Sequence, residues 1–144
     1  TPEIAQSLTT RVHFNTYGGN PVSCAAGKAT LEVMLEENLQ AHCQELGEYL
    51  LAGMRTLQQK YDCIADVRGS GLMLGMEFVT DGASLEPDPA FTVAVHDAAK
   101  NHGLLLGKGG TSGNVLRIKP PMCITQEDCD FALAVLDAAI DEAT

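Results

Sequence analysis

Apolar residues recur every three or four positions in two early parts of the chain, which is the spacing of a helix with one buried side. The first predicted helix covers about residues 21–37, with Pro21 in its first turn. The second follows Asn38, which we expect to cap it. Its apolar stripe consists of Leu46, Leu50, Met54, Leu57 and Tyr61. The second helix is therefore expected to bury this side.

In the middle of the chain the pattern changes to short apolar runs, which predict strands. Residues 64–67 and 72–79 form the first two runs, with a predicted turn at residues 68–71 between them. The second run is apolar apart from Glu77, which is typical of an interior strand. Further strands are expected at residues 104–106 and 115–119, separated by a flexible glycine-rich loop at residues 107–113.

Two more helices complete the predicted fold. Residues 91–101 form one of them, and Gly103 is expected to end it. Residues 125–128 match a capping pattern that begins the last helix. Its expected inward side consists of Phe131, Val135, Leu136, Ala139 and Ile140. The order α-α-β-β-α-β-β-α is typical of an α+β (α/β) fold in which helices cover a small, partly antiparallel sheet.

Composition narrows the range of partners. The 144 residues carry a net charge of −10, so no basic face for nucleic acid or for an anionic membrane surface is expected. No apolar run is long enough to span a membrane. The first residues lack the basic and apolar segments of a signal peptide, and they lack an initiator methionine. We therefore expect either a processed chain or a piece of a longer protein.

The cysteines and histidines predict neither a disulfide framework nor a metal site. The five cysteines include no C-x-x-C pair, so we expect reduced thiols and an intracellular, reducing compartment, either the mitochondrial matrix or the cytoplasm. The four histidines have no metal-ligand spacing. Residue counts do not exclude a Ser-His-Asp triad, but no Gly-x-Ser-x-Gly elbow supports one. The glycine patterns at residues 69–75 and 107–113 lack the following helix that nucleotide-binding loops need.

Two features carry candidate binding chemistry. The two-residue period of the strand at 115–119 places Arg117 on the face opposite to Leu116 and Ile118. There its planar guanidinium can bind a carboxylate, or it can form an ordinary surface ion pair. Residues 13–21 lead from a polar, glycine-containing loop into a helix start. Asn15 and Thr16 can donate hydrogen bonds to an anion there, or belong to a plain loop and N-cap.

Three segments together resemble one family. Residues 13–21 (HFNTYGGNP), 66–77 (DVRGSGLMLGME) and 116–121 (LRIKPP) are similar, in this order, to the C-terminal part of class III pyridoxal-phosphate-dependent aminotransferases, above all their alanine–glyoxylate branch. The resemblance implies fold type I, pyridoxal 5'-phosphate as cofactor, an amino acid and an oxo-acid as substrates, and a homodimer with active sites at the subunit interface. Residues 1–37 would be the trailing segment of the large cofactor domain with an interdomain helix, and residues 38–144 the C-terminal small domain.

The resemblance also implies roles for individual residues. Thr16 matches the family threonine that binds the cofactor phosphate of the neighbouring subunit, with Asn15 beside it, and Arg117 matches the arginine that holds the substrate carboxylate. The segment around Arg68 is expected to be structural. The Schiff-base lysine of the family lies upstream, and no lysine here matches it. We therefore expect no catalytic residue in this chain, and no activity from the chain alone.

Two alternatives stay open at this stage. The chain can be a stand-alone, non-catalytic domain that serves binding or dimerisation. It can also belong to a phospho-lyase or an ω-aminotransferase of the same class, because these enzymes share the three motifs.

Overall fold

The first 37 residues form a unit without a core of its own. In the computed structural model, which describes residues 1–144, the chain divides into the units Thr1–Glu37 and Asn38–Thr144. The first contains helix α1 (Pro2–Leu8), which the sequence analysis did not predict, and helix α2 (Pro21–Glu36). The side chain of Asn20 caps α2 by accepting hydrogen bonds from the backbone N–H groups of Val22 and Ser23, both at 3.1 Å. Neither helix contains a buried residue.

The second unit is an antiparallel sheet with helices on one face. The elements are α3 (Leu39–Lys60), β1 (Ile64–Ser70), β2 (Met73–Phe78), α4 (Pro89–Asn101), β3 (Gly107–Gly109), β4 (Val115–Ile118) and α5 (Gln126–Ala143). The sheet has the order β1-β2-β4-β3, and all three pairings are antiparallel. The α+β prediction is confirmed, and the sheet, predicted to be partly antiparallel, is wholly antiparallel. Strand β2 is interior, as predicted.

One continuous core lies between the sheet and helices α3, α4 and α5. Four of the five stripe residues predicted for α3 are buried there, with Met54 fully inaccessible. Tyr61 instead follows the helix, and its hydroxyl donates to Asp137 Oδ1 at 2.7 Å. On the last helix Phe131 is 51% exposed, contrary to the prediction, whereas the other four predicted residues are buried. Cys129, which is nearer to the start of α5, is fully buried, so Phe131 lies beside the buried side of the helix and not on it.

The first hairpin has a tighter turn than predicted. Strand β1 continues through Ser70, which pairs with Met73, so that only Gly71 and Leu72 form the connection. Gly71 has a φ of +51°, which suits glycine at the first of two turn positions. The prediction of a turn over residues 68–71 was therefore wrong for residues 68–70, which lie inside the strand.

The region before β4 also differs from its prediction. Residues 104–106 are not a strand; the pairing begins at Gly107, inside the stretch predicted as a flexible loop. Glycine has weak strand propensity, so the local composition favours a loop here. The strand forms because residues 107–109 pair with Arg117, Leu116 and Val115 of β4.

The helix ends follow local rules at two sites and break them at one. Gly103 ends α4 with a φ of +89°, and Leu104 N–H reaches back to the Ala99 carbonyl at 2.9 Å, as predicted for a glycine cap. Thr125 and Asp128 form the predicted reciprocal capping box of α5. Asn38 precedes α3 but makes no side-chain cap, since its φ of 52° places it in the left-handed region. That prediction was wrong.

Two further findings concern the whole chain. No helix combines the length and apolar character that crossing a bilayer requires. No group of three or more His, Cys, Asp or Glu side chains is placed to hold a metal ion, and all five cysteines are free thiols.

Candidate functional site

Arg117 lies on the face of the sheet that the helices leave open. It occupies the third position of β4, directly opposite Gly75 on β2 and Gly107 on β3. Its neighbours Leu116 and Ile118 are buried on the helix-covered face, so the predicted alternation is confirmed, and Arg117 itself is exposed. Val115, which shares the open face, is nevertheless buried.

The two glycines of β3 lie under the Arg117 side chain. A Cβ atom added at Gly109 would be 3.2 Å from Arg117 Cδ and 3.4 Å from Nε, and one added at Gly107 would be 3.4 Å from Nε. A Cβ at Gly75, on the other side, would meet Val115 and not Arg117. The arginine side chain therefore extends across β3 toward the edge of the sheet, where the lack of side chains leaves room for it.

No carboxylate of the chain pairs with Arg117, whereas Arg68, the other arginine of this face, has two carboxylate partners. Arg68 Nη1 donates to Asp66 and, at 2.7 Å, to Glu77 Oε2. The hydrogen bonds that Arg68 donates to Asp66 and then to Glu77 raise its pKa further above the usual range. Arg117 has neither a hydrogen bond nor a salt bridge within the chain. Its five N–H donors are therefore free to bind an anion.

An apolar groove of about 720 Å³ begins beside Arg117. Its polar contributors include Arg117, Lys119 and Asp128. The Asp128 carboxylate is already engaged, because its Oδ2 accepts from Thr125 N–H at 2.8 Å and from the Thr125 hydroxyl at 3.0 Å. These hydrogen bonds, the backbone one first, lower the pKa of Asp128. The apolar lining includes Met73, Leu104, Leu105, Leu106, Pro120, Pro121 and Phe131.

The other two predicted site residues, Asn15 and Thr16, lie in the loop between α1 and α2 of the first unit. Asn15 Oδ1 accepts from Tyr17 N–H at 3.2 Å, and the Asn15 carbonyl accepts from Gly18 N–H at 3.1 Å. These bonds form a tight turn with Thr16 near its tip. Thr16 is exposed, and its hydroxyl has no partner within the chain. Asn15 and Thr16 are thus adjacent in one unit, and Arg117 belongs to the other.

The family model described as aminotransferase class-III matches residues 1–140. The chain belongs to the class-III aminotransferase family. Among curated relatives, the mitochondrial alanine–glyoxylate aminotransferase 2 of Pongo abelii is 47% identical over 144 residues, which are 99% of this chain and 28% of that protein. Ethanolamine-phosphate phospho-lyase homolog 1 of Caenorhabditis elegans is 42% identical over 140 residues, 96% of this chain and 30% of that protein. The chain thus spans less than a third of the length of the curated relatives it matches.

Solved structures show the same fold. A phospholyase from Arthrobacter in complex with phosphoethanolamine matches with a TM-score of 0.90 and 32% identity, over 96% of this chain and 33% of that one. An amine transaminase from an uncultivated Pseudomonas species, in its PLP-bound form, matches with a TM-score of 0.84 and 29% identity, over 92% of this chain and 30% of that one. The predicted fold, that of the C-terminal part of a PLP-dependent aminotransferase, is confirmed.

Class-III aminotransferases use pyridoxal phosphate, and the chain's donor set fits one end of that cofactor. The exposed, unpaired hydroxyl of Thr16 and the free amide N–H₂ of Asn15 are donors suited to a phosphate oxygen. These donors suit the phosphate group of the cofactor.

Sequence reasoning missed the residues that surround Arg117. Gly107 and Gly109 were assigned to a loop, although their two-residue spacing is that of one strand face. Glu77 was noted only as an exception in an apolar run. Its place diagonally across from Arg117 depends on the register between β2 and β4, which the sequence does not give.

Proposed function

We propose that the protein containing this chain transfers an amino group from an alanine-like amino acid to a glyoxylate-like oxo-acid. The observation that carries the proposal is Arg117, an unpaired arginine on an open sheet face in a chain of this family. The 47% identity to an alanine–glyoxylate aminotransferase supports the choice of substrates. Pyridoxal phosphate, when bound, withdraws electrons from the substrate carbon and carries the amino group.

In this proposal, the residues of this chain bind the substrate and the cofactor, and they orient the substrate. Arg117 holds the α-carboxylate of the amino acid through paired N–H donors, which fixes the substrate in one direction. The Thr16 hydroxyl donates to the cofactor phosphate of the neighbouring subunit, and the Asn15 amide assists it. This chain supplies no group that moves the substrate proton.

The assignment of domains and assembly belongs to the same proposal. Residues 1–37 are the trailing segment of the large cofactor domain with the interdomain helix, and residues 38–144 are the small domain. The absence of buried residues from Thr1–Glu37 supports this, because its exposed apolar side chains need partners that the chain does not contain. A homodimer supplies such partners and brings Thr16 to the second active site. The mitochondrial relatives favour the mitochondrial matrix over the cytoplasm.

A phospho-lyase is the second candidate, and two relatives favour it specifically. Both the Caenorhabditis elegans relative and the Arthrobacter structure carry that name, and the latter has the highest TM-score among those described above. Arg117 does not separate the two functions, because a guanidinium binds carboxylate and phosphate with the same paired geometry.

The deciding experiment assays the complete protein, loaded with cofactor, on two substrate pairs. Alanine with glyoxylate should yield pyruvate and glycine, and phosphoethanolamine should release no phosphate. The reverse result would establish the phospho-lyase. The purified 144-residue chain, assayed in parallel with added cofactor, should be inactive on both, and turnover by it would overturn the assignment of a non-catalytic part. A complete protein inactive on every amine would favour the stand-alone binding module.

A further inference from the structure

Glu77 stands between the two arginines of the open sheet face. On β2 it is diagonal to Arg68 of β1 and equally diagonal to Arg117 of β4, since both arginines are directly opposite Gly75. Diagonal neighbours on adjacent strands are about 7–8 Å apart, within reach of long side chains. The carboxylate pairs with Arg68 at 2.7 Å, and to pair with it Arg117 would have to turn back from β3 toward β2.

Three contacts hold the Glu77 carboxylate in place. Arg68 bridges Glu77 and Asp66, which are directly opposite each other on β2 and β1. Two like charges in that position repel each other unless a cation joins them. Asn114 Nδ2 lies 3.4 Å from the second oxygen, Glu77 Oε1, and is itself fixed by a 2.8 Å hydrogen bond to the Phe78 carbonyl.

Without Arg68, the same geometry would send Glu77 to Arg117. Repulsion by Asp66 would push the Glu77 carboxylate away from β1, and Arg117 is the free cation on its other side. The only other carboxylate beside Arg117, in the apolar groove, is Asp128, and Thr125 holds it.

We propose that Arg68 is a positioning residue for substrate binding, because it sequesters Glu77 and so leaves Arg117 unpaired for the substrate carboxylate. This inference rests on the proposed role of Arg117. Arg68 touches neither substrate nor cofactor; it removes an internal competitor. If Glu77 is released from Arg68, it occupies Arg117 in a fraction of the molecules. The substrate carboxylate then has to displace it, which raises KM and leaves kcat unchanged.

The test uses Arg68→Met in the complete, cofactor-loaded protein, with KM and kcat for alanine and the inhibition constant of propionate as readouts. Propionate offers the same carboxylate without the amine, so its inhibition constant reports binding independently of the reaction. A cross-strand ion pair of ordinary strength blocks enough sites to raise both KM and the inhibition constant about two- to six-fold. The value of kcat should stay within about two-fold.

Rescue separates this role from a merely structural one. The double variant Arg68→Met/Glu77→Gln removes the released charge, and KM should return to within about two-fold of the wild-type value. Lys60→Met is the matched control. It breaks a comparable surface ion pair, to Asp137 at 2.7 Å, that joins two helices and includes no residue of the sheet. It should leave KM unchanged.

Several results would overturn the inference. An unchanged KM in Arg68→Met would do so, as would a raised KM that Glu77→Gln fails to rescue. Should Arg68→Met not fold, Arg68→Gln gives the same test with a polar side chain. Arg117→Ala, measured in parallel, distinguishes the two proposals. If Arg117→Ala leaves KM unchanged, the proposed carboxylate role of Arg117 is wrong. If Arg117→Ala raises KM and Arg68→Met does not, only the proposed role of Arg68 is wrong.

Discussion

The two candidate binding regions are built in different ways. Arg117 lies on a sheet whose other face is closed by three helices over a continuous core. Thr16 lies in a loop of a unit in which no helix residue is buried and large apolar side chains such as Leu31 and Leu35 are 60% and 77% exposed. The chain alone therefore preforms the sheet that carries Arg117, whereas the loop that carries Thr16 belongs to a unit without a buried core.

The largest expected effect comes from removing the core beneath Arg117. Leu116→Ala empties a fully buried position and should lower the free energy of unfolding of the 144-residue chain by about 2–5 kcal/mol. Urea denaturation measures this. The matched change Leu31→Ala on α2 should cost less than about 0.5 kcal/mol, because Leu31 is already exposed. Equal costs for the two variants would contradict the difference between the regions.

The next largest effect concerns Arg117 itself. Arg117→Ala in the complete protein should cost about 1.5–3 kcal/mol of substrate binding, the range for a hydrogen bond to a charged group, or about 10- to 150-fold in KM for alanine. Steady-state kinetics gives the value. Cofactor affinity serves as the internal control and should not change, since Arg117 is proposed to touch only the substrate.

Thr16 should show the complementary pattern. Thr16→Ala should weaken cofactor retention by about 1–3 kcal/mol, through the loss of one hydrogen bond to a charged group, with little change in KM for alanine. Fluorescence titration of the complete protein with cofactor measures this loss. A Thr16→Ser variant keeps the hydroxyl and should retain wild-type affinity; if serine fails to do so, the methyl group and not the hydroxyl is what matters.

The smallest expected effect is the pH dependence of stability that the capping box of α5 contributes. Hydrogen bonds from Thr125 hold the pKa of Asp128 below its usual value. A group with a lowered pKa in the folded state stabilises the protein above its unfolded pKa of about 4 and loses that contribution as the pH falls through the folded value. The thermal midpoint should therefore fall between about pH 6 and about pH 3.

Asp128→Asn provides the comparison for this pH effect. This variant should remove the part of the fall in the thermal midpoint that the capping box of α5 causes. The cap of α2 should not respond to pH in this range, because Asn20 has no titratable group. An identical pH profile in Asp128→Asn would show that other carboxylates, such as Asp137 beside Lys60, cause the whole decrease.

Local sequence rules predicted the structure correctly where it depends on interactions within one short segment. Pro21, Gly103 and the pair Thr125 and Asp128 marked helix ends correctly because the interactions involved span only a few residues. They failed where a distant strand decides, as at residues 107–109, which became β3 through pairing with β4. Phe131 was misplaced because Cys129, and not Phe131, continues the buried side of α5 toward its start.

The sequence by itself determined the helix periods, the interior strand β2, the face on which Arg117 lies and, through its motifs, the family. Only the tertiary structure decided that Arg117 is unpaired, that Gly107 and Gly109 lie beneath it, and that Arg68 holds Glu77. These facts depend on the register between paired strands, whose partner residues are up to 44 positions apart in the chain, as Leu74 and Ile118 are. A shift of one residue would turn every side chain to the opposite face, and packing of the core, not local propensity, fixes that register.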